Sequence, residues 1–103
     1  MYSMVFITVG NEDEAKRIAK KLLEERLAAC VNIIKDVKSY FLWKGEIDKA
    51  EEYLLIIKTI ANKVNDIIKR VKEIHSYQVP EIIWINLSGG SEDYLNWINE
   101  ELR

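Results

Sequence analysis

The spacing of apolar residues changes repeatedly along this chain, and each change marks an element. Ser3–Val9, SMVFITV, is a short unbroken apolar run, the pattern of a strand covered on both faces. Gly10 interrupts it. Ala15, Ile18, Ala19, Leu22 and Leu23 then follow the i, i+3, i+4, i+7, i+8 series of one helical face, with Lys16, Lys20, Lys21, Glu24 and Glu25 between them. Asn11, three residues before Glu14, is a capping-box signal for the start of that helix, and the periodicity fades near Arg26.

Two long runs rich in β-branched and aromatic residues follow, within Ala28–Thr59. The first carries Val31, Ile33, Ile34, Val37, Tyr40, Phe41, Leu42 and Trp43, and the second Ile47 and Tyr53–Ile57. Such residues suit a pleated surface, and the single glycine between them predicts a β-hairpin turning at Lys44-Gly45-Glu46. Each arm reaches about a dozen residues, roughly twice the usual strand. A hairpin that long overhangs a small domain, and bare apolar edges invite pairing with another chain.

Beyond Thr59 the period returns to helical. Asn62 is the expected N-cap, and Val64, Ile67, Ile68, Val71, Ile74 and His75 share a side. Pro80 pushes Val79 into an extended conformation. Ile82–Leu87, IIWINL, predicts a compact buried strand. Ser91, with Glu92 and Asp93 after it, predicts the cap of a last helix whose apolar side is Tyr94, Leu95, Ile98 and Leu102. The order β-α-β-β-α-β-α defines an α+β, ferredoxin-like (split βαβ) domain over residues 1–103, with a long β2-β3 hairpin and a C-terminal helix.

Composition narrows the functional classes. Hydrophobic residues make up 49% and charged residues 31%, which excludes a disordered chain. A net charge of -2 argues against a nucleic-acid module. No apolar run reaches the roughly twenty residues of a membrane span, and no basic, apolar, small-residue leader opens the chain. With one cysteine, and so no internal disulfide, the expected compartment is the cytoplasm. No Ser-His-Asp set, CxxC, HExxH or phosphate-binding glycine loop occurs, so the expectation is a protein that is not an enzyme.

Taken together, ERLAACVN (25–32), WKGEI (43–47), Glu52 running to Lys58-Thr59, HSYQVPEI (75–82) and DYLNWI (93–98) resemble, in order, the CutA family of divalent-cation tolerance proteins. The resemblance spans nearly the whole chain. It implies a cytoplasmic homotrimer interlocked by the long hairpins, linked to copper and other heavy-metal tolerance, with a fold and assembly like those of PII signalling proteins, which bind small ligands between subunits. Departures are Ser76 where the family has proline, Ile7 and Ile74 where some members have metal-ligating cysteine and histidine, and Phe41 for the usual tyrosine, with Tyr40 beside it.

Four groups of residues carry candidate chemistry. His75, the sole histidine, either contributes nitrogen to a copper or other divalent-cation site shared between subunits or sits at a helix C-terminus. Cys30 either ligates copper(I) or zinc or is a small buried hydrophobe. Glu52, in the acidic stretch with Glu46, Asp48 and Glu51, is a carboxylate that would assist a metal site; if buried it needs a partner, either Lys58 or a tyrosine hydroxyl from another subunit. Tyr40, Trp43, Tyr77 and Lys58 are the expected ligand cleft, with aromatic interface packing as the alternative for the rings. No organic cofactor is implied; a small metabolite or partner protein at the cleft is the second functional reading.

Overall fold

A computed structural model describes residues 1–103. Its elements are β1 (Tyr2–Val9), α1 (Glu12–Glu24), β2 (Cys30–Trp43), β3 (Glu46–Ile60), α2 (Val64–Ile74), β4 (Ile82–Asn86) and α3 (Glu92–Leu102). The four strands form one antiparallel sheet in the order β2-β3-β1-β4. That order is the split βαβ arrangement, in which β3 sits between β1 and β2.

Register assigns the two faces. Val5 lies opposite Ile57 and Ile7 opposite Leu55, and all four are fully buried beneath Ile18, Leu22, Ile67 and Val71 from the two helices. Burying such side chains contributes about 1.5–3 kcal/mol each, so this shared face holds the domain together. The run Ser3–Val9 is fully covered on one face; on the other, Thr8 is buried while Met4 and Phe6 are half-buried. IIWINL departs further from expectation. β4 is an edge strand, and Ile83, Trp84 and Ile85 are 57%, 43% and 53% exposed. α3 lies over part of this second face, with Tyr94 against Cys30, which register places away from the core.

Helix ends follow local chemistry. Asn11 Oδ1 accepts from the Glu14 N–H at 2.8 Å and caps α1. Arg26 closes the same helix in a left-handed conformation (φ 58°), and the N–H groups of Arg26 and Leu27 return to the carbonyls of Leu23 and Leu22, a Schellman motif built without glycine. Ser91 Oγ caps α3. Asn62 caps nothing; α2 is entered instead through a single 3-10 turn, Ala61–Lys63, with no side-chain cap.

The hairpin is the longest feature. Lys44 (φ 52°) and Gly45 (φ 81°) form a two-residue turn of the I′ kind between the paired Trp43 and Glu46. β1 stops opposite Tyr53, so Glu46–Glu52 of β3 extends past it and keeps a free edge. Between the Ile34–Leu54 and Val37–Glu52 pairs, Lys35 and Asp36 oppose Tyr53 alone, and Asp36 takes φ 64°. This bulge re-aims the outer arm. The molecule measures 44 × 26 × 23 Å, elongated by the hairpin.

Candidate functional site

The notch beside the overhanging hairpin is bounded by the end of β1, the outer arm of β3 and the segment following α2. His75 ends α2, where its N–H reaches Val71 O and its backbone turns extended (φ -79°, ψ 141°). Its side chain is fully buried. Nε2 lies 2.8 Å from Thr8 O, so it carries the proton and donates. Nδ1 accepts from the Tyr77 N–H at 3.0 Å. These contacts fix the orientation of the ring, whose Nδ1 also stands 3.6 Å from Glu14 Oε2.

Glu14 anchors the next residue. Although 96% buried, it accepts from Ser76 N at 2.7 Å and Ser76 Oγ at 2.8 Å, one on each oxygen. Arg17 stands 3.8 Å from the same carboxylate and donates to Ile74 O. A proline at 76 would have neither donor, so the serine suits this attachment. The reciprocal half of the expected capping box is absent because Glu14 is occupied here.

Held at both sides, Tyr77 packs its ring 4.8 Å from the His75 imidazole and donates its hydroxyl to Glu52 Oε2 at 2.9 Å. The phenol passes over Gly10, where any Cβ would lie 3.1 Å from the hydroxyl oxygen. Burial, then the hydrogen bond to Glu52 and that carboxylate's charge, push the Tyr77 phenol up to about 12. Glu52 itself is only 7% exposed. No Lys, Arg or His nitrogen forms an ion pair with it.

A cavity of about 870 Å³ opens above this pair, lined by Thr8, Tyr40, Trp43, Glu52, Tyr77 and Pro80 among others. The structure therefore brings Trp43, Tyr77 and Glu52 to one side of the hairpin, whereas Tyr40, paired with Lys49, points to the other. Lys58 is not there: six residues along β3 from Glu52, it stands about 20 Å away at ~3.3 Å per residue. Its ammonium donates to Asn32 Oδ1 and lies 3.9 Å from Cys30 Sγ. The partner of Glu52 within the chain is thus the Tyr77 hydroxyl, not Lys58. Cys30 is half-buried beside Lys58 and Tyr94, a basic neighbour supplied by strand register rather than by adjacency in sequence. Burial, and after it the interaction with Cys30, raises the Tyr94 phenol.

His75, Cys30 and Glu52 do not converge within one chain, and no three His, Cys, Asp or Glu side chains form a metal-sized group. Within one chain both ring nitrogens of His75 are engaged, Nε2 with Thr8 O and Nδ1 with the Tyr77 N–H. Thr8, Gly10 and Glu14 are part of this arrangement but were not singled out from the sequence. The only advance signal was Glu14 three residues after Asn11, which points equally to a cap.

The chain is thus a split-βαβ α+β domain with an overlong hairpin and a buried carboxylate–phenol pair at a cavity. The family is then unambiguous. CutA1 divalent ion tolerance protein matches residues 3–101, and the chain belongs to that family. It is 44% identical over 100 residues to the divalent-cation tolerance protein CutA of Thermus thermophilus, covering 97% of both chains. With the chloroplastic CutA of Arabidopsis thaliana it shares 38% identity over 97% of its own length and 55% of that protein's. Its fold superimposes on the structure titled periplasmic divalent cation tolerance protein CutA from Archaeoglobus fulgidus with a TM-score of 0.97 at 43% identity, over 100% of both chains. The Pyrococcus horikoshii CutA structure determined in 3 M guanidine hydrochloride gives 0.92 at 36%, over 98% of this chain and 99% of that one.

Proposed function

We propose that the chain acts in divalent-cation tolerance as a cytoplasmic, PII-like homotrimer, without catalysis, and that its working part is a ligand cleft at Glu52 and Tyr77. The carrying observation is the buried Glu52 carboxylate, hydrogen-bonded to Tyr77 at the foot of a roomy cavity, with no cation of its own. Buried charges are ordinarily paired. Trimer formation is supported by the outer hairpin and β4, where Leu42, Ile47, Ile83 and Ile85 are 73%, 79%, 57% and 53% exposed beside free strand edges. Neighbouring copies docked there would close the notch and complete the cleft.

Weak direct binding of copper or another divalent ion is the second reading. It is favoured by a cavity of about 240 Å³ whose lining includes Glu12, Asp36, Glu51 and Glu52. Carboxylate oxygens suit hard divalent ions, whereas copper prefers nitrogen and sulfur.

Calorimetric titration of the purified protein with copper and zinc, beside Glu52→Gln and His75→Gln variants, tests these readings. The cleft reading expects no metal binding tighter than millimolar and no dependence on His75. Micromolar binding abolished by His75→Gln in a folded variant would overturn it and restore the imidazole as a ligand. Micromolar binding lost only in Glu52→Gln would favour the acidic notch.

A further inference from the structure

Strand register sorts the groups around the large cavity into two sets of unlike character. Glu52, Ala50 and Asp48 share one face of the hairpin with Val37, Ser39 and Phe41, their partners on β2. Lys38, Tyr40 and Lys49 also border the cavity, but their side chains leave from the other face. Within the cavity the first face therefore carries two carboxylates and no cation. Glu81, from the segment before β4, adds another carboxylate to the lining. Neither Glu52 nor Asp48 nor Glu81 forms an ion pair within the chain.

Glu52 is the member most in need of a partner. It is 93% buried, and Tyr77 bonds Oε2 alone. Oε1 receives no hydrogen bond, yet no enclosed side-chain oxygen or nitrogen of the molecule lacks one, so Oε1 stands open. Glu52 and Tyr77 together line the large cavity, whereas Tyr77 is absent from the smaller acidic one. Asp48 follows on the same face about 13 Å along the strand, at ~3.3 Å per residue. Between the two carboxylates that face presents only Ala50 and Ser39, both small and half-buried. Each carboxylate has a ring beside it, Tyr77 at Glu52 and Phe41 directly across from Asp48.

We propose that this cleft binds a linear aliphatic polyamine, one terminal ammonium on Glu52, the other toward Asp48, and the methylene chain over Ala50 and Ser39. The proposal rests on the cleft reading given above and adds the chemical class of ligand. An ammonium neutralises Glu52 one for one and brings donors to a carboxylate that has received only one hydrogen bond. Aromatic faces favour an ammonium further. A divalent ion is the poorer match, because it requires several oxygen ligands in a defined shell and no such group is assembled. The two ends differ in strength. Losing the charge of the buried Glu52 should weaken binding by about 10- to 100-fold. Asp48 is exposed, so losing its charge should cost about fivefold at most.

Four probes separate these contributions: spermidine; putrescine, a shorter diamine; octylamine, close to spermidine in length with a single ammonium; and octanol, with none. Binding is followed by NMR at the Tyr77 and Phe41 resonances of the full-length protein. The expected order is spermidine, then octylamine, then octanol, with putrescine below spermidine. Glu52→Gln should abolish the preference for octylamine over octanol. Asp48→Asn, a surface change, should remove only the advantage of spermidine over octylamine. If octanol binds as tightly as octylamine, or spermidine is unaffected in a folded Glu52→Gln variant, the polyamine assignment is overturned while the cleft stands. Putrescine binding as tightly as spermidine would overturn the bridge to Asp48. If no probe shifts Tyr77 or Phe41, cleft and assignment fall together. Sedimentation covers the other source of an ammonium, a lysine of a second copy. Dissociation of Glu52→Gln into smaller particles would assign the cation to the partner chain and overturn the free ligand.

Discussion

His75 shows how much of a residue's part in a fold is set by its surroundings. The sole histidine of a cation-tolerance protein invites a metal role, yet its imidazole replaces strand pairing. β4 begins opposite Ile7, leaving the Thr8 carbonyl without a strand partner on that side, and Nε2–H fills the place. The consequence reaches Tyr77, whose N–H rests on Nδ1 and whose hydroxyl holds Glu52. Two predictions belong to this scale. Because the Tyr77 phenol rises from 10.0 to about 12 in the fold, its contribution is fully present below pH 10 and is lost as pH climbs through 12. Urea unfolding across that window should show a steeper loss of stability for wild type than for Tyr77→Phe; parallel curves would show that the phenol is not held. Gly10→Ala sets a methyl 3.1 Å from the Tyr77 oxygen, so the phenol must shift, and a shift loosens its hold on Glu52. The expected result is a Tyr77 titration returning toward 10, with little change at Trp43.

At the scale of elements, the beginning of α1 joins two requirements that sequence spacing cannot separate. Asn11 satisfies the helix N-terminus, while Glu14 leaves the capping box to hold Ser76 from a distant segment. Asn11→Ala should therefore cost about 1 kcal/mol in equilibrium unfolding, with the Ser76 attachment intact. A much larger loss would mean that cap and attachment form one unit. The same region shows what is legible in a sequence. The strands, the helices and the turn at Gly45 were all readable, because they depend on periods of two or 3.6 and on local backbone freedom. The Lys35–Asp36 bulge was not, because a bulge exists only relative to a partner strand. Nor was the pairing of Cys30 with Lys58, which strand register creates. The exposure of β4 escaped for a related reason: an apolar run signals burial without saying which molecule covers it. Of the residues around Glu52, Trp43 and Tyr77 could be named in advance, whereas Thr8, Gly10 and Glu14 act mainly through backbone, space and a loop contact.

For the whole molecule, the question is why one chain leaves so much apolar surface at its far end. Leu42 and Ile47 face each other across the hairpin tip at 73% and 79% exposure. Neither supports the core, which lies at the opposite end among β1, β3 and the two helices. Exposed apolar area costs roughly 25 cal/mol per Å² relative to burial, so association through the tip gains what folding of a single chain cannot. Substitution there should separate assembly from folding. Wild type should sediment at three times its 12.1 kDa chain mass. Leu42→Lys/Ile47→Lys places like charges on each copy's tip, where docking would have to desolvate them. Its far-UV circular dichroism should remain that of wild type, while its mass falls toward 12.1 kDa. Wild type already at 12.1 kDa would show that the tip serves no assembly, and the cleft would then have to function within one subunit, open on its hairpin side.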